Sequence, residues 1–85
     1  MTSLLERLRQ IIAEQLGVDE ESITLSSSFV DDLNVEPSDL AELITAVEQE
    51  FSTPKRKLQI HDDDIKRIVT VQDLIECLRD YGIEG

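Results

Sequence analysis

Glu36-Pro37-Ser38-Asp39-Leu40-Ala41-Glu42-Leu43-Ile44-Thr45-Ala46-Val47-Glu48-Gln49-Glu50-Phe51 is the stretch whose reading decides the fold. Pro37 has its φ fixed near the helical value and lacks an N–H, which suits the first position of a helix. The same ring pushes Glu36 out of the helical region. Leu40, Leu43, Ile44, Val47 and Phe51 then recur at spacings of three and four, which makes a single apolar stripe. Pro54 cannot continue the pattern. The spacing predicts a helix over 37–51, with Ser38 roughly opposite the stripe, near Glu42 and Gln49. Glu36 and Asp39 lie in or beside the first turn, where the helix dipole favours anions.

The same periodicity extends outward in both directions. Ser3-x-x-Glu6 has capping-box spacing, and Leu4, Leu5, Leu8, Ile11, Ile12 and Leu16 follow on one side up to Gly17. A helix is expected over 4–16. Residues 17–35 lose the pattern, and so long a loop is expected to pack on the domain through Val18, Ile23, Leu25, Phe29, Val30 and Leu33. Ser28-x-x-Asp31 suggests a short helical turn near 29–33, and Ser26-Ser27-Ser28 reads as a polar loop. Residues 52–60 read as a connector carrying the basic run Lys55-Arg56-Lys57. Beyond it a short helix is expected over 62–68. Thr70-x-x-Asp73 opens a last helix over 71–81, with Val71, Leu74, Ile75, Leu78 and Tyr81 on its stripe and Gly82 at its end. No stripe can be buried alone. The expectation is therefore an all-α fold, a four-helix bundle of three main helices and one short one with a long loop after the first. It forms a single domain over 1–85.

The charge excludes several functions. The chain has 85 residues, with 19 acidic and 8 basic, a net charge of −11. Between Gln10 and Pro54 lie 11 acids and no base, and the other 8 acids are balanced by the 8 bases. Such a field repels polyanions and anionic membranes, so neither nucleic acid nor a membrane is expected as a partner. No apolar run reaches the length of a spanning helix and no leader sequence is visible, so a cytoplasmic protein is expected. With Cys77 alone, no intrachain disulfide can form.

The usual catalytic and metal motifs fail. Counted as a calcium loop from Asp32, the glycine position is Pro37 and the closing glutamate is Leu43. Counted from Asp62, a ligand position is Lys66. His61 with Asp62–Asp64 reads as a solvated helix start, and no metal site is expected. Cys77 lies beside an apolar stripe and reads as a small core-edge residue. No group of residues converges on a catalytic site, so the chain is not expected to be an enzyme.

Phe29-Val30-Asp31-Asp32-Leu33-Asn34-Val35-Glu36-Pro37-Ser38-Asp39-Leu40, followed by Val47-Glu48-Gln49-Glu50-Phe51, resembles the acyl carrier protein family. There the stretch reads Phe-Val-Glu-Asp-Leu-Gly-Ala-Asp-Ser-Leu-Asp, then x-Glu-Glu-Glu-Phe. Arg9–Val18 is similar to that family's first helix, and Asp64–Asp73 to its short third helix and the start of its fourth. The similarity runs nearly the whole chain, apart from extra residues around Pro54–Gln59. It implies a monomeric carrier that does no chemistry itself. Such a carrier holds acyl or aminoacyl groups as thioesters on 4′-phosphopantetheine in fatty-acid, polyketide or related biosynthesis. The arm is placed by a phosphopantetheinyl transferase. The resemblance also implies partner enzymes with basic patches that dock on the acids of helix two, here Glu36, Asp39, Glu42 and Glu48.

The departure falls on the attachment residue. Aligned without a gap, Glu36-Pro37-Ser38 stands at Asp-Ser-Leu, so Pro37 takes the serine position and Ser38 the leucine position. Two readings are open. Either Ser38 is the attachment site of a variant motif, or the site is lost and the chain is a cargo-free docking module of the same fold. The basic run has a solvated-loop reading and two functional ones: a partner contact, or an internal counter-charge near Asp62.

Overall fold

The apolar stripes become four helices: α1 (Leu4–Leu16), α2 (Pro37–Phe51), α3 (Asp62–Arg67) and α4 (Val71–Asp80). The structure, a computed structural model, describes residues 3–83. The ends of the expected domain, residues 1–2 and 84–85, and with them the opening of the leader reading, lie outside the described residues. The last two helices each stop one residue short of the expected bounds, which is within the usual fraying of helix ends. Among the described residues no strand forms, only isolated bridges at Ser28–Thr70 and Thr53–Arg56.

Local chemistry accounts for the ends. The Ser3 hydroxyl accepts the Glu6 N–H at 3.2 Å, so the hydroxyl half of the expected box is formed. At α4 the box is complete: Thr70 Oγ1 accepts the Asp73 N–H, and the Asp73 carboxylate accepts the Thr70 N–H. Gly17 closes α1 at φ 69°, its N–H donating to the Ala13 carbonyl.

The core unites Leu8 and Ile12 of α1, Leu43, Ile44 and Val47 of α2, and Val71, Leu74 and Leu78 of α4. Burying a side chain of this kind contributes about 1.5–3 kcal/mol. Ile23 and Phe29 of the long loop are fully buried in the same core, and Val18 and Leu33 are half-buried beside it. The other two expected loop anchors are not anchors. Leu25 is 42% exposed and Val30 is 55% exposed. Once Phe29 points inward its neighbour Val30 is turned out, and Leu25 is held by its backbone instead.

That backbone attachment ties the loop to the start of α4. The Phe29 N–H donates to the Val69 carbonyl, the Val71 N–H to Ser27, and the Gln72 N–H to Leu25, at 3.0–3.1 Å. Two of the N–H groups that a helix start leaves unpaired thus strap the loop to α4. Residues 28–33 form a single helical turn, capped by Ser28. Ser28 Oγ accepts the Asp31 N–H, Asp32 Oδ2 accepts the Ser28 N–H, and the Asp32 and Leu33 amides both converge on the Ser28 carbonyl. Of the serine run, Ser26 is exposed, whereas Ser27 and Ser28 are buried and hydrogen-bonded. A 3-10 turn at Glu20–Ser22 also stands where only loop was expected, and the Ile23 carbonyl that follows it accepts Arg9 Nε at 2.8 Å.

The connector is tied down along its length. Leu58 and Ile60 enter the core. Ser52 Oγ accepts the Leu58 N–H and Glu48 Oε2 accepts the Ile60 N–H, both at 2.9 Å. Arg56 donates from Nη2 to the Tyr81 carbonyl at 2.6 Å, so it serves the C-terminal end of α4. Of the basic run, Arg56 is therefore an internal contact, made to Tyr81 and not to Asp62. Lys55 and Lys57 are exposed. The Tyr81 hydroxyl donates to the Asp64 carboxylate and accepts the His61 N–H, which fixes α3.

These contacts generate two expected outcomes. Asn34 sits in the left-handed region at φ 54°, which Asn tolerates and β-branched residues do not. Asn34→Gly should leave chemical-denaturation stability nearly unchanged, whereas Asn34→Val should lower it by about 1–2 kcal/mol. Tyr81→Phe should lower the thermal midpoint, with amide protection lost first over residues 61–65 in hydrogen-exchange measurements.

Candidate functional site

The site candidate is the start of α2, and the chain entering it is set residue by residue. The capped turn at 28–33 delivers Asn34 in its left-handed conformation. Val35 is 2% exposed, and its N–H donates to the Phe29 carbonyl at 2.7 Å. Glu36 is extended (φ −76°, ψ 154°), Pro37 is the first helical residue, and the Leu40 N–H closes the first turn on the Glu36 carbonyl. The entry direction is thus fixed on one side by a buried valine and on the other by the proline ring.

Ser38 is the second residue of α2 and is exposed, as its place opposite the stripe requires. Glu36, as N-cap, makes no side-chain hydrogen bond to the helix start. The Ser38 and Asp39 amides therefore keep the donor capacity of a helix N-terminus, which suits a phosphodiester. Pro37 has no hydroxyl. Its missing N–H also removes one donor from the first turn.

The four acids expected to dock partners divide. Glu36, Asp39 and Glu42 are exposed, and Asp39 and Glu42 border a groove of ≈400 Å³ with Gln15, Leu33 and Asn34. Glu48 is half-buried, with one carboxylate oxygen committed to the Ile60 N–H. Helical periodicity alone could not separate Glu48 from the others, because its partner arrives from the connector. The role of Arg56 was hidden for the same reason. Asn34 carries a readable signal, since it stands where the resembling family has glycine.

The other candidate chemistry is weak. Cys77 is half-buried, in a cleft of ≈290 Å³ with Asp64, Arg67, Asp73, Glu76 and Tyr81. Burial pushes its thiol pKa up, and the carboxylates of Asp64 and Asp80 push it further. The hydrogen bond to Asp64 likewise raises the Tyr81 phenol. Neither group is poised as a nucleophile at neutral pH. Among the described residues no group of three or more His, Cys, Asp or Glu could hold a metal ion, and no helix is long and apolar enough to cross a membrane.

The first turn of α2 has chemistry that suits a phosphopantetheine arm. The hydroxyl available on the first turn of α2 is that of Ser38, beside amides free to face a phosphate. The family whose model matches the chain is described as the phosphopantetheine attachment site, and the match covers residues 6–78, from the first turns of α1 nearly to the end of α4. That span takes in the helical bundle, the long loop and the variant Glu36-Pro37-Ser38 together. The chain belongs to the phosphopantetheine-binding carrier family, with the all-α fold of acyl carrier proteins and covalently attached 4′-phosphopantetheine as the cofactor of that family.

Proposed function

We propose that this protein is an acyl carrier whose 4′-phosphopantetheine is borne on Ser38. The observation that carries this is the exposed Ser38 hydroxyl on the first turn of α2, within a chain whose family membership spans residues 6–78. In loading, Ser38 Oγ bonds to the β-phosphorus of coenzyme A. The 3′,5′-ADP leaving group takes the bridging oxygen, and the hydroxyl proton passes to a base of the transferase. When bound, the arm supplies a thiol on which acyl groups travel as thioesters. The protein's own part is to hold Ser38 outward, to offer the Ser38 and Asp39 amides to the phosphodiester, and to present acids to partners. It is a carrier and not a catalyst, and it serves fatty-acid, polyketide or related synthesis.

The one-residue displacement has a mechanical consequence. Moving from position 37 to 38 turns the side chain by about 100° around the helix and raises it by about 1.5 Å. The arm then leaves along the solvent face of α2, and the apolar residue that follows serine in the family pattern is replaced. Loss of such a docking side chain is worth about tenfold in transferase efficiency. Glu36, Asp39 and Glu42 form the steering surface for basic partners, with Glu48 in a lesser part because one of its oxygens is engaged. A second reading has one observation behind it: Pro37 at the usual serine position fits a module that docks enzymes without cargo.

Incubation with coenzyme A and a panel of transferases, read by intact mass and peptide mapping, decides between them. The expected result is one phosphopantetheine on the Ser38 peptide, abolished by Ser38→Ala. No mass gain with any transferase, on a protein that is also unmodified in its source, overturns the carrier reading. The pair P37S with S38L should be modified about tenfold faster by a broad-range transferase, now on residue 37. The new thiol, at the end of an exposed arm, should react with a disulfide reagent well before the half-buried Cys77. Partner affinity should fall as salt rises, most of all for Glu36, Asp39 and Glu42.

A further inference from the structure

Away from α2, the molecule carries an exposed and mostly apolar groove of ≈350 Å³ between the start of α1 and the side of α4. Gln72, Ile75, Glu76 and Arg79 recur at spacings of three and four, so they share one side of α4. Leu5 of α1 and Leu25 of the long loop face them across the groove. Leu25 is 42% exposed, yet its carbonyl accepts the Gln72 N–H at 3.0 Å. An exposed leucine is thus pinned against α4. A side chain held in place in this way gives up little freedom when another surface covers it. Glu76 and Arg79 are both exposed, and among the described residues neither has an ion-pair partner.

We infer that a second copy of this chain seats on this groove, in a weak two-fold dimer with the two α4 helices antiparallel. In a two-fold contact one patch meets itself, so the patch must be complementary to itself. This one is. Leu5, Leu25 and Ile75 offer apolar surface to the same surface of the second copy. The single acid and single base let each Glu76 face Arg79 of the second copy, so the pair forms twice. A basic partner would find one acid here beside an arginine, which is a poor match. The charge map agrees. A net charge of −11 keeps copies apart over most of the surface, but the whole excess lies between Gln10 and Pro54. Leu25 is the one groove residue from that stretch, and the charges on the groove sum to zero. No α2 residue lines it, so Ser38 and the docking acids stay outside the contact. The inference therefore does not depend on whether Ser38 bears an arm. So small a contact belongs with weak, reversible association.

Sedimentation equilibrium from micromolar to millimolar protein, with ¹H–¹⁵N spectra recorded on dilution, tests this. The expected result is a reversible monomer–dimer equilibrium, with shifts at Leu5, Leu25, Gln72, Ile75, Glu76 and Arg79 and none over residues 36–42. Added salt should strengthen the dimer, because it screens the repulsion between two copies of net charge −11 and only exposed ion pairs oppose that gain. Glu76→Arg and Arg79→Glu should each weaken the dimer about tenfold by setting like charges face to face, with the helical circular dichroism retained. The double variant, which keeps the native net charge, should restore it, and so should an equimolar mixture of the two single variants. Leu25→Ser should abolish association. A monomer at every concentration, a dimer indifferent to these substitutions, or growth beyond two copies overturns the inference.

Discussion

The fold depends on Phe29 being held in the core while its backbone is strapped to the start of α4. The strap is a set of hydrogen bonds between Leu25, Ser27 and Phe29 on one side and Val69, Val71 and Gln72 on the other. It satisfies loop groups and helix-start groups at once, and buried backbone needs such pairing. Without it the loop from α1 would have no fixed end, and α2 would have no fixed beginning. Val35 hangs from Phe29 by its own amide, so the aromatic anchor, the left-handed Asn34 and the α2 entry form one chain of dependence. The position of Ser38 in space is the last link of that chain.

A second tie works at the other end of α2. The connector feeds Leu58 and Ile60 into the core and is held by Ser52, Glu48 and Arg56. Around the bundle, Tyr81 joins α4 to α3, and Arg7 lies over the Phe51 ring with its charge toward Glu50, joining α1 to α2. The internal positive contacts lie at residues 7, 9 and 56, outside the stretch between Gln10 and Pro54 that holds the whole charge imbalance. Glu50 pairs with Arg7, whereas Glu36, Asp39 and Glu42 have no ion-pair partner among the described residues, which favours their use toward partners.

Much of this was legible from residue order. Three apolar stripes located the main helices, and Ser3, Gly17, Pro37 and Thr70 marked ends for reasons that depend only on neighbouring atoms. The direction of Ser38 followed from its angle to the α2 stripe. Where sequence reasoning fell short, the missing information was nonlocal. The spacing of Ser28 and Asp31 marks the cap of a turn, but it says nothing of the backbone strap that ties this loop to α4. Val30 is as apolar as its neighbours, but the inward turn of Phe29 leaves it in solvent.

The sequence by itself determined the helices, their caps, the family pattern and the place of Pro37 at that pattern's serine position, because each is a matter of local periodicity and spacing. Tertiary structure alone decided which loop residues are core, that Glu48 is partly spent on the connector, and that Arg56 serves α4. It also decided that Lys57, Leu58 and Gln59 stand across a groove from Thr45 and Gln49 of α2. Each of these joins residues distant in the chain, and only packing chooses which distant groups satisfy one another.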